Sequence, residues 1–398
     1  MLFAGALVFE TTRMVAMQSQ NPYCRDVIGL LGLPIDLIDL ETTRQWATDA
    51  AGTDRRHWLS TVNLDWVVMA REDPSFRATV LRSDLVTADG APLVKLADLM
   101  GVPLPERVTG SDLFGSFEDK GDPAQPLRVY FFGGRDTSAE DASRAFPQGK
   151  SGVLGVGGVN PGYGDLDALS RDDLISDINA AEPDLLIVAL GAARAQQWLN
   201  KNRDRLNVPV IAALGAVVDF AAGSIARAPK AMQSAHLEWA WRIGQDPALW
   251  KRYAKDALFL PRLVSDALTV RRALKTQNEA DLKVPGEISL LGDTLTLSGD
   301  LRGKDAAQSL AEALFTAQTK GHPLTVSLTD TALIDLQCVG IFLLAHQRWM
   351  DRSLPFDMTG GTASARTLLH LNHLPLSSRR MAIHKAQRSH HPSQSIPA

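Results

Sequence analysis

Asp184-Leu-Leu-Ile-Val-Ala-Leu190, followed at once by Gly191-Ala-Ala-Arg-Ala-Gln196-Gln-Trp198, decides the fold. The first seven residues read as a strongly apolar strand and the next eight as the turn and opening of a helix. Gly191 and Gln196 therefore fall on the rim at the carboxyl end of a strand, where a glycine lets a ligand approach the backbone closely. Working outward, the same alternation recurs between Asn21 and Leu274. Strands are expected at His57 to Val62, Asp84 to Ala88, Arg128 to Phe132, Gly152 to Val156 and Val208 to Leu214, with helical stretches at Asp65 to Glu72, Ser138 to Phe146, Asp172 to Ala181 and Ala195 to Arg205. Such β/α alternation predicts an α/β fold: a mainly parallel sheet covered by helices on both faces.

The chain has 398 residues, 45% of them hydrophobic and 22% charged, too apolar for a disordered chain and too long for one ordinary domain. A net charge of −4 argues against a surface built to hold nucleic acid. Cys24 and Cys338 form no CxxC and no Cys/His cluster, which gives no zinc site and fits a reducing compartment. The run Leu2 to Phe9 lacks a preceding cation and a cleavage site, so no signal peptide is expected; Met14 or Met17 are alternative starts. No stretch is long and apolar enough for a membrane span, leaving peripheral contact.

Composition divides the chain further. Residues 1–20 read as a disordered N-terminal extension, and 21–274 as the first domain. Lys275 to Glu287 (KTQNEADLKVPGE) reads as a linker punctuated by Pro285-Gly286, and 288–376 as a small α/β domain. In that domain strands are expected at Ile288 to Leu291, Thr294 to Ser298 and Leu324 to Ser327, with helices at Ala306 to Lys320 and Val339 to Trp349. The tail 377–398 is polar and expected to be disordered.

Several places carry chemistry. Asp89-Gly90 ends one strand and Thr61-Val-Asn63 the one before it, so a carboxylate, an amide and a hydroxyl share the rim, although an Asp-Gly pair is also an ordinary turn. Arg107-Val-Thr-Gly-Ser-Asp112 brings a cation, a flexible glycine and an acid within six residues, or is simply a surface loop. Ser138-Ala-Glu-Asp141 after Phe131-Phe-Gly-Gly134 reads as a helix N-terminus able to hold an anion, or as a plain cap. Gly155-Val-Gly-Gly158 is a poor dinucleotide signal, because no helix clearly opens on it and no ribose-binding acid is evident. No cofactor is expected. Arg227 to Lys275 holds ten Lys+Arg against four Asp+Glu, with Trp239, Trp241, Trp250 and Tyr253 interleaved among Arg242, Lys251, Arg252, Lys255 and Arg262. That pattern fits a helical surface at a bilayer interface facing anionic lipid, and it would serve equally for a diphosphate; the alternative is a helical subdomain with an aromatic core.

Taken in order and spacing, Thr61-Val-Asn63, Asp89-Gly90, Pro105-Glu-Arg107-Val-Thr-Gly110-Ser-Asp112, Phe132-Gly-Gly134, Gly191 to Trp198, Asp219-Phe-Ala-Ala-Gly223, Arg227-Ala-Pro229 and Leu237-Glu-Trp239 resemble the WecG/TagA/CpsF family of glycosyltransferases over about 250 residues. The resemblance implies a Rossmann-like fold with a helical C-terminal appendage, here about 224–274. It implies an inverting, metal-independent transfer of a hexose, often of N-acetylmannosamine type, from a UDP-sugar donor to a polyprenyl-diphosphate-linked sugar acceptor. The place of action would be the inner face of the cytoplasmic membrane, on an anionic surface, in cell-surface polysaccharide synthesis. By position, Asp89 matches the general base, Thr61, Asn63, Arg107, Gly191 and Gln196 match the pocket, and Arg227, Arg242 and Arg252 fall where basic residues hold the diphosphate. Val62 replaces the family's proline, Gly191 to Gln197 lacks that box's proline and glutamate, and His236 replaces a glycine; these departures leave the base intact and the donor sugar open.

The second domain resembles the STAS fold. Asp335-Leu-Gln-Cys-Val-Gly340 stands where those phosphoswitch domains carry Asp-Ser-Ser-Gly, so no hydroxyl is present to phosphorylate and a docking or regulatory role for a protein partner is expected. Two alternatives stay open: a catalytically idle scaffold acting through this domain, and a soluble transferase with a free acceptor. Homo-oligomers occur in such a family and are left open for this chain.

Overall fold

The computed structural model describes residues 11–377, apart from 13, 17, 19, 227, 230, 231, 233–237 and 281–283. The expected disordered tail lies outside the described residues except for Ser377, and so do residues 1–10 of the expected extension. Residues 11–20 differ from expectation. The described ones are helical, bury Val15, and are tied to the next helix: the Thr12 hydroxyl donates to Asp49 and the Trp46 indole donates to Gln18 at 3.0 Å. The polar Thr11-Thr-Arg13 and Gln18-Ser-Gln20 on either side of the short apolar run Met14 to Met17 hid a packed segment.

The chain then forms a hairpin, β1 (Val27–Leu30) and β2 (Leu33–Asp36), whose two-residue turn Leu31-Gly32 has φ of 54° and 97°. Both positive values are what a tight hairpin turn requires. Helix α1 (Leu40–Ala51) follows, started by the Asp39 carboxylate accepting from Thr42 N–H. Next come β3 (His57–Val62), α2 (Leu64–Glu72), α3 (Pro74–Leu81), β4 (Leu85–Ala88), α4 (Ala91–Met100), α5 (Gly110–Lys120), β5 (Leu127–Gly133), α6 (Ser138–Ala145), β6 (Val153–Val159), α7 (Asp172–Ala180), β7 (Leu185–Ala189), α8 (Ala192–Asn202), β8 (Val210–Ala212) and α9 (Gly215–Ala221). The six strands from β3 to β8 make one parallel sheet in the order β4-β3-β8-β7-β5-β6.

Side chains along β5 show how that sheet is buried. Val129 and Phe131 enter one apolar cluster and Tyr130 and Phe132 the other, so successive residues feed opposite faces. Phe132 stacks on Trp198 of α8 with centroids 4.4 Å apart. The glycines of β6 have a packing role: a Cβ on Gly155 would lie 2.1 Å from the Ser143 carbonyl oxygen, and one on Gly158 would lie 2.1 Å from that of Ala139. Both carbonyls belong to α6, which therefore rests directly on the strand.

Beyond the sheet lie α10 (Glu238–Gln245) and the 30-residue α11 (Trp250–Glu279). The polar composition after Lys275 suggested a linker from that point, but the helix runs on through Glu279 because Gln277 is buried and its amide oxygen accepts from Ile334 N–H at 2.9 Å. The second unit comprises β9 (Glu287–Leu291), β10 (Thr294–Ser298), β11 (Asp300–Leu301), α12 (Lys304–Lys320), β12 (Leu324–Leu328), β13 (Leu333–Ile334), α13 (Leu336–Asp351), β14 (Phe356–Gly360) and α14 (Ala363–Leu371). Its main sheet has the order β14-β12-β10-β9, parallel except for the β9-β10 hairpin.

One apolar cluster runs through both units. At the seam β1 lies against α13 so closely that a Cβ on Gly340 would sit 2.8 Å from the Val27 carbonyl oxygen, and one on Gly29 would sit 2.4 Å from Val339 Cγ1. Polar groups are matched across it. Arg77 donates to the carbonyls of Gly32 (3.0 Å) and Asn372 (3.1 Å), the fully buried Asn372 accepts from Gly32 N–H (2.9 Å), and Gln337 donates to Asp26 (2.8 Å).

Candidate functional site

A cavity of about 420 Å³ opens over the carboxyl ends of β3, β7 and β8. Neighbouring strands β3 and β8 are reached by chain segments running in from opposite sides of the sheet, and such a switch in strand order leaves a crevice at their carboxyl ends. Three helix N-termini converge on it. Asn63 caps α2 by accepting from Trp66 N–H, Thr109 caps α5 by accepting from Asp112 N–H at 2.9 Å, and Gly191 (φ 78°) starts α8 without a side chain. Free N–H groups and the positive ends of these helices make the floor attractive to negative charge.

Asp89 stands at the end of β4, its N–H bonded to the Val62 carbonyl at 2.7 Å, and Gly90 at φ 113° turns the chain away beneath it. Loss of water around its carboxyl pushes the pKa up to about 6; Arg242 and Arg107 oppose this shift, while Glu238 and Asp112 add to it. A carboxyl so placed is ionised at neutral pH yet remains a stronger base than an ordinary aspartate. Thr61, buried in β3, lines the same cavity.

The opposite wall comes from the basic segment. Trp241, Arg242, Gln245 and Arg252 line the cavity, and the Trp241 indole donates to the Ala226 carbonyl at 2.9 Å. Arg252 approaches Asp65 at 3.8 Å and lies 5.0 Å from the Tyr253 ring centroid. Trp239 (49% exposed), Trp250 (55%) and Leu258 (82%) instead face outward. The tryptophans thus divide between cavity and surface, which the composition of the segment alone does not reveal.

Residues 28–273 match the glycosyl transferase WecG/TagA/CpsF family. The chain belongs to that family. Among its relatives, an N-acetylglucosaminyldiphosphoundecaprenol N-acetyl-beta-D-mannosaminyltransferase of Bacillus spizizenii is 29% identical over 246 residues, 60% of this chain and 90% of the relative. Proteins of the same name from Bacillus subtilis and Staphylococcus aureus are 25% and 23% identical, over 55% and 50% of this chain and 81% and 74% of theirs. The chain is accordingly a glycosyltransferase.

Of the residues singled out in the sequence, the structure brings Thr61, Asn63, Asp89, Gly191, Arg242 and Arg252 together around the WecG/TagA/CpsF cavity. Arg107 stands at its edge, 3.5 Å from Glu238 and 3.8 Å from Asp112. Arg227 lies outside the described residues. Gln196 is a correction: it is fully buried on the inner side of α8, where its amide donates to Ser60 at 2.9 Å, and it does not line the cavity. Five positions into the helix, its side chain has turned from the rim toward the sheet.

Asp219 was not given a role from the sequence, although it opens the Asp219-Phe-Ala-Ala-Gly223 motif. It lines the cavity with one carboxylate oxygen bonded to Ser138 and the other without a partner among the described residues, and burial pushes its pKa up. Among the described residues no group of three or more His, Cys, Asp or Glu side chains is placed to hold a metal ion, and no helix is long and apolar enough to cross a membrane.

Proposed function

We propose that this glycosyltransferase transfers a hexose, of N-acetylmannosamine type, from a UDP-sugar to a polyprenyl-diphosphate-linked sugar with inversion and without a metal ion. The observation that carries the reading is the Asp89 carboxyl facing Arg242 and Arg252 across one cavity. Inversion by direct displacement needs one base: as the acceptor hydroxyl oxygen bonds to the anomeric carbon, its proton passes to Asp89 while the bond from that carbon to the UDP oxygen breaks. The negative charge developing on the leaving diphosphate is met by guanidinium groups and helix N-termini. The names of the relatives, which act on an N-acetylglucosaminyl-diphosphoundecaprenol, support the acceptor class.

Outward-facing Trp239, Trp250 and Leu258 beside Lys251 and Lys255 support docking on an anionic bilayer, with the cavity opening toward it. The site of action in this proposal is the inner face of the cytoplasmic membrane, and the pathway is cell-surface polysaccharide synthesis. For the second unit we propose a STAS-like docking module rather than a phosphoswitch. Leu336 is buried, Gln337 bonds to Asp26 of the transferase sequence, and Asp335 caps α13 while accepting from Gly303 N–H at 2.7 Å.

The deciding experiment measures UDP release from a panel of UDP-sugars in EDTA, with and without a polyprenyl-diphosphate-GlcNAc analogue on anionic liposomes, for wild type and Asp89→Asn. Release that needs both acceptor and Asp89 supports the proposal and names the donor. No release from any donor by folded protein rejects it in favour of a scaffold.

A further inference from the structure

At the opposite, amino-terminal end of the transferase sheet a second cavity, of about 380 Å³, opens against the second unit. His57, the first residue of β3, and Asp84, just before β4, lie on one wall; Gln318 and Gln347 of α12 and α13 lie on the other. Six arginines line it: Arg25, Arg55, Arg56, Arg82, Arg203 and Arg348.

Three of these are already matched to carboxylates. Arg25 donates to Asp36 through Nε at 3.0 Å, Arg82 to Asp351 through Nε at 3.0 Å, and Arg203 to Asp84 at 3.1 Å. Among the described residues the Arg56 side chain donates only to the neutral amide oxygen of Asn207, at 3.3 Å. Arg348 has no hydrogen bond or ion pair among the described residues; its guanidinium lies 5.7 Å from the Tyr23 ring centroid. Tyr23 is itself held in place, fully buried with its hydroxyl bonded to Gln318.

Burial pushes the Arg348 pKa down; Tyr23 and Asp84 oppose this shift, while the nearby guanidinium groups of Arg25 and Arg203 add to it. A desolvated cation facing others of its sign is costly unless an anion compensates it. Asp84 and Asp351, the acids in the wall, are each already clasped by another arginine. Planar guanidinium groups converging from two sides suit phosphate oxygens, which they bind two at a time. A cavity of this size falls within the roughly 300–1,000 Å³ of small-molecule sites and exceeds what one phosphate fills.

We propose that this cavity is a second ligand site, distinct from the substrate cavity, for a small anion bearing two or more phosphates, clasped by Arg348 of the second unit and Arg56 of the transferase unit. Either inorganic diphosphate or the phosphates of a nucleotide would supply that chemistry. Because the two cations come from different units, the ligand bridges the seam.

The test titrates inorganic diphosphate calorimetrically into the full chain as wild type, Arg348→Gln, Arg56→Ala and Arg242→Ala. Removing one charge-assisted contact is expected to weaken one diphosphate-binding event about 10- to 100-fold in Arg348→Gln and in Arg56→Ala. Arg242→Ala should leave that event in place, and basal UDP release should be unchanged by Arg348→Gln. Should Arg348→Gln fail to fold, Arg56→Ala, at a half-exposed position, carries the test alone. Isotherms of the folded arginine variants superimposing on wild type, or loss of all diphosphate binding on Arg242→Ala alone, would overturn the proposal. A parallel titration with UDP, GDP and ADP, read on the binding event that Arg348→Gln or Arg56→Ala weakens, separates the sources: tenfold tighter binding of one of them identifies a nucleotide, and equal binding identifies the diphosphate itself as the recognised group.

Discussion

Replacing Asp89 with Asn is expected to remove turnover while making the protein more stable at neutral pH. The carboxyl is held near pKa 6 by desolvation, against 3.8 in the unfolded chain. That difference of about 2 units corresponds to at most about 3 kcal/mol, and water entering the open cleft brings it to the order of 1–3 kcal/mol. Because the folded state holds its proton more tightly, the contribution of Asp89 to stability is most favourable below pH 4, falls as pH rises from about 4 to 6, and is least favourable above 6. The amide keeps the shape without the charge, so the variant's advantage over wild type should be full above pH 6 and vanish below 4. Activity runs the other way. Loss of the base should lower kcat by about 10²- to 10⁴-fold, and wild-type kcat/KM should rise through pH 6 to a plateau where the carboxylate is ionised. Urea unfolding at pH 4 and pH 8, beside UDP-release kinetics from pH 5 to 8, measures both. Wild-type turnover in the variant would refute the base assignment, and an equal stability difference at both pH values would refute desolvation as the cause of the shift.

Gln196→Met should lower stability by about 1–3 kcal/mol through the lost bond to Ser60 yet leave kcat/KM within about threefold; a hundredfold loss of activity would return Gln196 to the substrate. Arg242→Ala with Arg252→Ala should cut kcat/KM by at least about tenfold without changing cosedimentation with anionic liposomes, since both line the cavity. Trp250→Ser with Leu258→Ser should do the converse, reducing liposome binding while sparing turnover of a soluble acceptor analogue. Ending the chain after Glu279 should give insoluble or partly unfolded protein in size-exclusion chromatography and circular dichroism, because α13 covers the hairpin; a soluble, active fragment would show the seam to be dispensable.

Three strands were legible to within a residue: His57–Val62 and Thr294–Ser298 coincide with expectation, and Leu185–Ala189 differs by one residue at each end. Their signal is local: Leu185–Ala189 is apolar throughout, as a strand covered on both faces tends to be, and Thr294–Ser298 alternates between buried leucines and half-buried hydroxyl residues. The hairpin Val27–Asp36 was passed over because its cover arrives from the far end of the chain and no short window contains both. The site followed the same division. Asp89, Asn63 and Gly191 share the cavity wall because a strand's end fixes their place. Gln196 was misplaced because the facing of a residue five positions into a helix depends on how that helix sits on the sheet. Asp219 passed without a role because α9 approaches the cavity only through tertiary packing.

The seam also sets a timetable for synthesis. Asp26 and its partner Gln337 are 311 positions apart, so β1 leaves the ribosome long before the helix that covers it exists. At about 5–20 residues per second that interval is roughly 15–60 s, during which Val27, Ile28 and Leu30 have no native cover from α13. A newborn chain of this protein therefore holds an adhesive edge through most of its translation, and its yield in the cell should depend on chaperone supply more steeply than that of relatives lacking the second unit.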